Sequence, residues 1–134
     1  MKWSAMTPEQ RNALVAEKVM GWTPKECNGE IGEQPISPDG WACQKCQYRG
    51  YWGDDTTHAE VPMRYSEHIY CAWQIVEHFR IHRFDVHVGS APLQYDVAIL
   101  NRRMGGKGYT ASAESAPEAI CLAALKAQGI EIEP

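Results

Sequence analysis

Phe84-Asp85-Val86-His87-Val88-Gly89-Ser90-Ala91-Pro92-Leu93-Gln94-Tyr95-Asp96-Val97-Ala98-Ile99 is the stretch that decides the fold. Phe84, Val86 and Val88 alternate with Asp85, His87 and Gly89, and Tyr95, Val97 and Ile99 alternate with Asp96 and Ala98. A period of two places successive side chains on opposite faces, so two half-buried antiparallel strands joined around Ser90-Ala91-Pro92 are predicted. Downstream, Met104-Gly105-Gly106-Lys107-Gly108 supplies a second turn, and Tyr109, Ala111 and Ala113 alternate with Thr110, Ser112 and Glu114 as a third strand.

The flanks change to a helical period. Ser115-Ala116-Pro117-Glu118 reads as a capping box, followed by Ile120, Ala123, Ala124 and Ala127 until Gly129 stops the helix. Upstream, Ser66 is a good N-cap, and Ile69, Ala72, Trp73, Val76 and Phe79 form an apolar stripe through about His82. Trp73 and Ile120 are expected to face the sheet. Nearer the start, Thr7-Pro8-Glu9-Gln10 opens a helix from Pro8 to about Trp22, with Leu14, Val15, Val19 and Trp22 as its narrow apolar face. Covering these stripes most simply gives an α+β fold, a three-stranded antiparallel sheet packed with helices as a sandwich.

Between them, residues 23 to 63 carry Pro24, Gly29, Gly32, Pro35, Pro38, Gly40, Gly50, Gly53 and Pro62, too many breakers for a long helix. The chain reads as a single domain, 1–134, with an irregular insert at 23–63 after the first helix. Ordered loops of this length without structure of their own are uncommon, so something must tie the insert down.

Val15-Ala16-Glu17-Lys18-Val19-Met20-Gly21-Trp22, Ala72-Trp73-Gln74-Ile75-Val76-Glu77 and, above all, Ala116-Pro117-Glu118-Ala119-Ile120-Cys121-Leu122-Ala123-Ala124-Leu125 resemble the small phage proteins grouped as the phage ABA sandwich domain. The resemblance spans roughly residues 8 to 22 and 64 to 130. It implies a compact α+β sandwich encoded by a phage or prophage, and it brings no catalytic residues with it.

The insert holds the residues best suited to chemistry. Cys43 and Cys46 have the two-residue gap that turns both thiolates toward one ion, and Cys46-Gln47-Tyr48-Arg49-Gly50 reads like the turn after a zinc-knuckle pair. A tetrahedral ion needs two more ligands, for which Cys27 and His58 are at hand in the same insert. A structural zinc on Cys27, Cys43, Cys46 and His58 is set against reduced, unbound thiols and, less readily in a reducing cytosol, a disulfide. Cys71 and Cys121 lie in helices and read as small buried residues. His78 and His82 share a helix face without neighbouring ligands, which suits solvated side chains.

No nucleophile elbow, HExxH order or Walker loop is present, and Gly105-Gly106-Lys107-Gly108 joins two strands, so it reads as a hairpin turn and not a phosphate cradle. An enzyme is therefore not expected. With 13 Lys+Arg against 17 Asp+Glu the net charge is −4, which disfavours broad nucleic-acid binding. Locally the balance differs. Arg102, Arg103 and Lys107 cluster at a strand end, and Arg49 with Tyr51 and Trp52 combines a guanidinium with aromatic rings, a pairing suited to a planar anionic ligand. No apolar run approaches a membrane span and the start of the chain lacks an export-type apolar segment, which points to the cytoplasm, for a phage protein that of the infected bacterial host. The expected function is a non-enzymatic phage accessory protein that binds or sequesters a host factor, either a protein or an immune-signalling nucleotide, and so interferes with host defence. The alternative is a zinc-stabilised structural or regulatory interaction module. A homo-oligomer is slightly favoured, because two copies can enclose a small ligand.

Overall fold

A computed structural model describes residues 1–23, 25–27, 40–46, 48–51, 57–105 and 107–134. The chain divides into two compact units, one made of Met1–Trp22 with Arg64–Pro134 and the other of Thr23–Met63. In chain order the regular elements are α1 (Pro8–Lys18), β1 (Glu26–Cys27), β2 (Gly40–Ala42), β3 (Arg49–Tyr51), β4 (His58–Ala59), α2 (Ile69–Ile81), β5 (Phe84–Ala91), β6 (Gln94–Asn101), β7 (Lys107–Ala113) and α3 (Ala116–Ala127), with short 3-10 turns at Trp3–Ala5 and Arg102–Met104.

The larger unit is built on the β5-β6-β7 sheet, antiparallel throughout. Phe84 pairs with Asn101 and Val86 with Ile99, while Val97 pairs with Ala111 and Ile99 with Tyr109. The alternation read from the sequence is thus the register of the sheet. Its covered face carries Val97, Ile99 and Ala111, all buried. Helix α2 lies on β5, α3 lies over β6 and β7 and against α2, and α1 packs on α3. That central position explains the composition of α3: Ala119 through Leu125 are all buried, since neighbours surround the helix.

The caps show how local chemistry sets the helix starts. Thr7 Oγ1 accepts from the Gln10 N–H at 3.2 Å and Gln10 Oε1 accepts from the Thr7 N–H at 2.9 Å, a complete capping box with Pro8 inside the first turn. Helix α1 ends at Lys18, four residues before Trp22, because Gly21 takes a left-handed turn (φ +69°). Ser115 caps α3 through the Glu118 N–H, but the Glu118 carboxylate accepts instead from Trp3 Nε1 at 3.2 Å, and its other oxygen lies 3.9 Å from Arg11.

Ser66 does not cap α2, which starts after His68. The Ser66 N–H and hydroxyl both donate to Asn12 Oδ1, at 2.9 and 2.7 Å, and Asn12 Nδ2 donates to Glu67 Oε2 at 2.9 Å. Asn12 and Ser66 are both buried, so this polar knot ties α1 to the approach to α2. β7 likewise starts two residues earlier than the pattern predicts, at Lys107.

The expectation for Trp73 is overturned. Its side chain is 46% exposed, and the buried stripe of α2 is Cys71, Ala72, Ile75, Val76 and Phe79. Aromatic bulk misleads here, because the stripe Ala72-Ile75-Val76-Phe79 satisfies the helical period equally well and is the one buried. Ile120 is fully buried, as expected. Trp73→Ala should therefore change the unfolding free energy by less than about 1 kcal/mol, as checked by urea titration. A loss of about 3 kcal/mol or more would show that Trp73 is covered.

At the edge of this unit, Lys2 bridges Glu133 in parallel, with the Trp3 N–H donating to Glu133 O at 2.8 Å and the Glu133 N–H donating to Met1 O at 2.9 Å. Among the described residues, no helix is long and apolar enough to cross a membrane.

Candidate metal centre and a basic depression

The Thr23–Met63 unit contains two small antiparallel pairs, β1 with β4 and β2 with β3. In the first, Cys27 stands directly opposite His58. In the second, Trp41 stands opposite Gly50 and Ala42 opposite Arg49, and the connection between the strands carries Cys43 and Cys46. Cys43 N–H donates to Tyr48 O at 2.9 Å, closing the turn. Each pair thus delivers two of the four residues.

Their ligand atoms converge: those of Cys27, Cys43, Cys46 and His58 all lie within 4.8 Å of one another. Cys27 Sγ is 3.6 Å from Cys43 Sγ, and Cys46 Sγ is 3.0 Å from His58 Nε2. A tetrahedral site with metal–sulfur bonds near 2.3 Å has ligand–ligand edges of roughly 3.7 Å, so a single ion fits the quartet with small side-chain adjustments. Among the described residues no disulfide links the cysteines.

The surroundings orient the ligands. The His58 ring stacks on Tyr48, with centroids 4.2 Å apart and planes 12° apart, and the Trp41 ring lies 5.8 Å from it. Trp41, 1% exposed, is the apolar centre of the unit beside Cys27 and Cys43. Position 50 must be glycine for the same reason: a Cβ there would sit 2.6 Å from the Trp41 ring. Burial raises the Cys43 thiol pKa, but the backbone N–H groups of Cys46 and Lys45, with the Cys27 and Cys46 side chains, outweigh it and bring it down to about 7. A sulfur held this way is readily available as thiolate.

Cys121, by contrast, is pushed far above its ordinary range by burial, then by the Glu118 charge, and Cys71 is buried too, which fits their reading as core residues. His78 and His82 have ring centroids 4.6 Å apart, and His82 Nδ1 lies 2.7 Å from His78 O. Burial lowers the His78 pKa, with a further push from His82. His78 is half-buried, so the fully solvated reading holds for His82 alone.

The larger unit has a depression of about 670 Å³ where α2 turns into β5. It is lined by Arg80, Arg83, Phe84, Asp85, Val86, His87, Arg102 and Arg103. The Arg102 guanidinium pairs with Asp85, Nε lying 2.7 Å from Oδ2, and this bond holds the Asp85 carboxyl below the usual carboxylate range. Arg80 reaches Glu77 at 2.7 Å on its own helix. Arg83 and Arg103 have no carboxylate partner among the described residues.

Of the anion-binding residues expected from the sequence, Arg102 and Arg103 line this depression, and Lys107 opens β7. Arg49 is exposed on β3 and Tyr51 ends that strand, both in the other unit, and Trp52 lies outside the described residues. Sequence reasoning missed Arg80 and Arg83. The hairpin itself held the signal: once Phe84 pairs with Asn101, the residues just outside, Arg83 and Arg102, must be neighbours.

An antiparallel sheet covered by helices defines an α+β sandwich, here interrupted by a Cys/His-rich unit. The family model of the phage ABA sandwich domain matches residues 13–125, and the chain belongs to that family. It is a small phage protein. No curated protein and no solved structure matches it.

Proposed function

We propose that the chain is a non-enzymatic phage accessory protein that binds a host factor and thereby interferes with host defence, with the Thr23–Met63 unit, held by zinc, as its recognition surface. The observation that carries this reading is the convergence of Cys27, Cys43, Cys46 and His58 on one point. Three thiolates and an imidazole in a tetrahedral set favour zinc among the available divalent metals. Four protein ligands close the coordination sphere, leaving no position for the bound water that catalytic zinc sites keep open. Such an ion organises a surface and performs no reaction on it. The basic depression supports a second reading, capture of a small phosphate-bearing signal such as a nucleotide.

The test is to incubate zinc-loaded protein with host extract, isolate the complex, release the bound factor by heat and identify it by mass spectrometry. The expected result is one factor recovered chemically unchanged and no longer retained by a Cys46→Ser variant. A factor returned cleaved or modified would establish an enzyme, and equal retention by Cys46→Ser would remove the zinc-held unit from recognition.

A further inference from the structure

Arg83 is out of place by the rules of backbone conformation. It follows the end of α2 with φ +67°, a left-handed geometry in which a Cβ crowds the backbone and which helix ends normally give to Gly or Asn. The turn around it is tight: His82 N–H donates to Phe79 O and Arg83 N–H to Arg80 O, both at 3.1 Å. Leu93 (φ +74°) shares the unusual geometry, but its side chain is 96% exposed at a hairpin tip. Arg83 instead lines the depression beside Arg80, Arg102 and Arg103. A large charged side chain kept where glycine is easier points to a use for that side chain.

We propose that the depression is a binding site for a phosphate group, gripped by the Arg83 and Arg103 guanidiniums, with Arg80 at its rim. The inference deepens the second reading above and does not depend on zinc. Four guanidiniums line the site; Arg80 is paired with Glu77 and Arg102 with Asp85, which leaves Arg83 and Arg103 as the local positive excess in a protein whose net charge is −4. Arg102 is committed to Asp85, which fixes it as a wall. The forks of Arg83 and Arg103 match the tetrahedral oxygens of a phosphate and form charge-assisted hydrogen bonds with it. Phe84 and Val86 give the floor an apolar side, against which the organic part of a phosphate ester can lie. The ligand class is a small phosphate ester or diphosphate, which a depression of about 670 Å³ holds whole.

The probe is inorganic pyrophosphate, titrated calorimetrically into zinc-loaded full-length protein at ionic strength held constant with chloride. Saturable binding is expected. Arg83→Gly should leave the melting temperature unchanged or raise it by a few degrees, because glycine accepts the left-handed backbone, while weakening pyrophosphate binding about tenfold or more; Arg103→Ala should weaken it similarly. A merely structural Arg83 predicts the reverse, a lowered melting temperature with binding intact. Absence of saturable binding in the parent, or an Arg83→Gly affinity within about threefold of the parent, overturns the proposal. Cys46→Ser should bind pyrophosphate like the parent, so failure of the zinc-based reading and failure of this site remain separate results.

Discussion

Cys46→Ser should take the bound zinc from close to one ion per chain to none and open residues 23 to 63 to protease, while the Met1–Trp22/Arg64–Pro134 unit keeps its own melting transition. The reason lies in the smaller unit's interior among the described residues. Its buried apolar cluster is Cys27, Trp41 and Cys43, and two of those three are ligands of the proposed ion. Trp41 with short two- and three-residue strands is a small core, set against a cost of roughly 1–2 kcal/mol for each backbone residue ordered. Structural zinc contributes about 10–16 kcal/mol in zinc-finger peptides near neutral pH, enough to decide whether such a segment folds. Elemental analysis after purification without chelator, followed by limited proteolysis with and without chelator, measures both parts. Metal well below one per chain in the parent, or identical protease patterns for parent and variant, would refute the zinc staple.

Phe79→Ala should have the largest effect in the other unit, about 3–5 kcal/mol, out of the 5–15 kcal/mol that holds a domain of this size together. Phe79 is 2% exposed, and its ring meets that of Phe84 edge-on at 5.2 Å, so truncation leaves a cavity at the joint between α2 and β5. Urea unfolding followed by far-UV circular dichroism reads the change directly. A loss below about 1 kcal/mol would mean that the buried face of α2 has been misplaced.

These residues also show what was legible without coordinates. The strand register followed from alternation in Phe84–Ile99, because a one-residue slip would turn Val97 and Ile99 to solvent. Cys27 and His58 could be named as partners of Cys43 and Cys46 because the insert offers few other ligands of the right type. Trp73 misled because periodicity gives the angle of a helical stripe but not how much room lies opposite it. Ser66 misled because its hydroxyl met a better acceptor, Asn12, 54 residues earlier in the chain, which no local pattern contains. Arg83 went unnoticed since its importance depends on a backbone angle, and side-chain type does not report that.

The pairing of Lys2 with Glu133 has a consequence in time. Lys2 and Glu133 share a bridge, and α1 packs on α3, so α1 waits about a hundred residues of synthesis for that helix to emerge. At 5–20 residues per second of synthesis that delay is roughly 5–20 s. All four residues of the metal quartet leave the ribosome within it. The four proposed ligands can therefore meet an ion before α3 arrives to pack on α1.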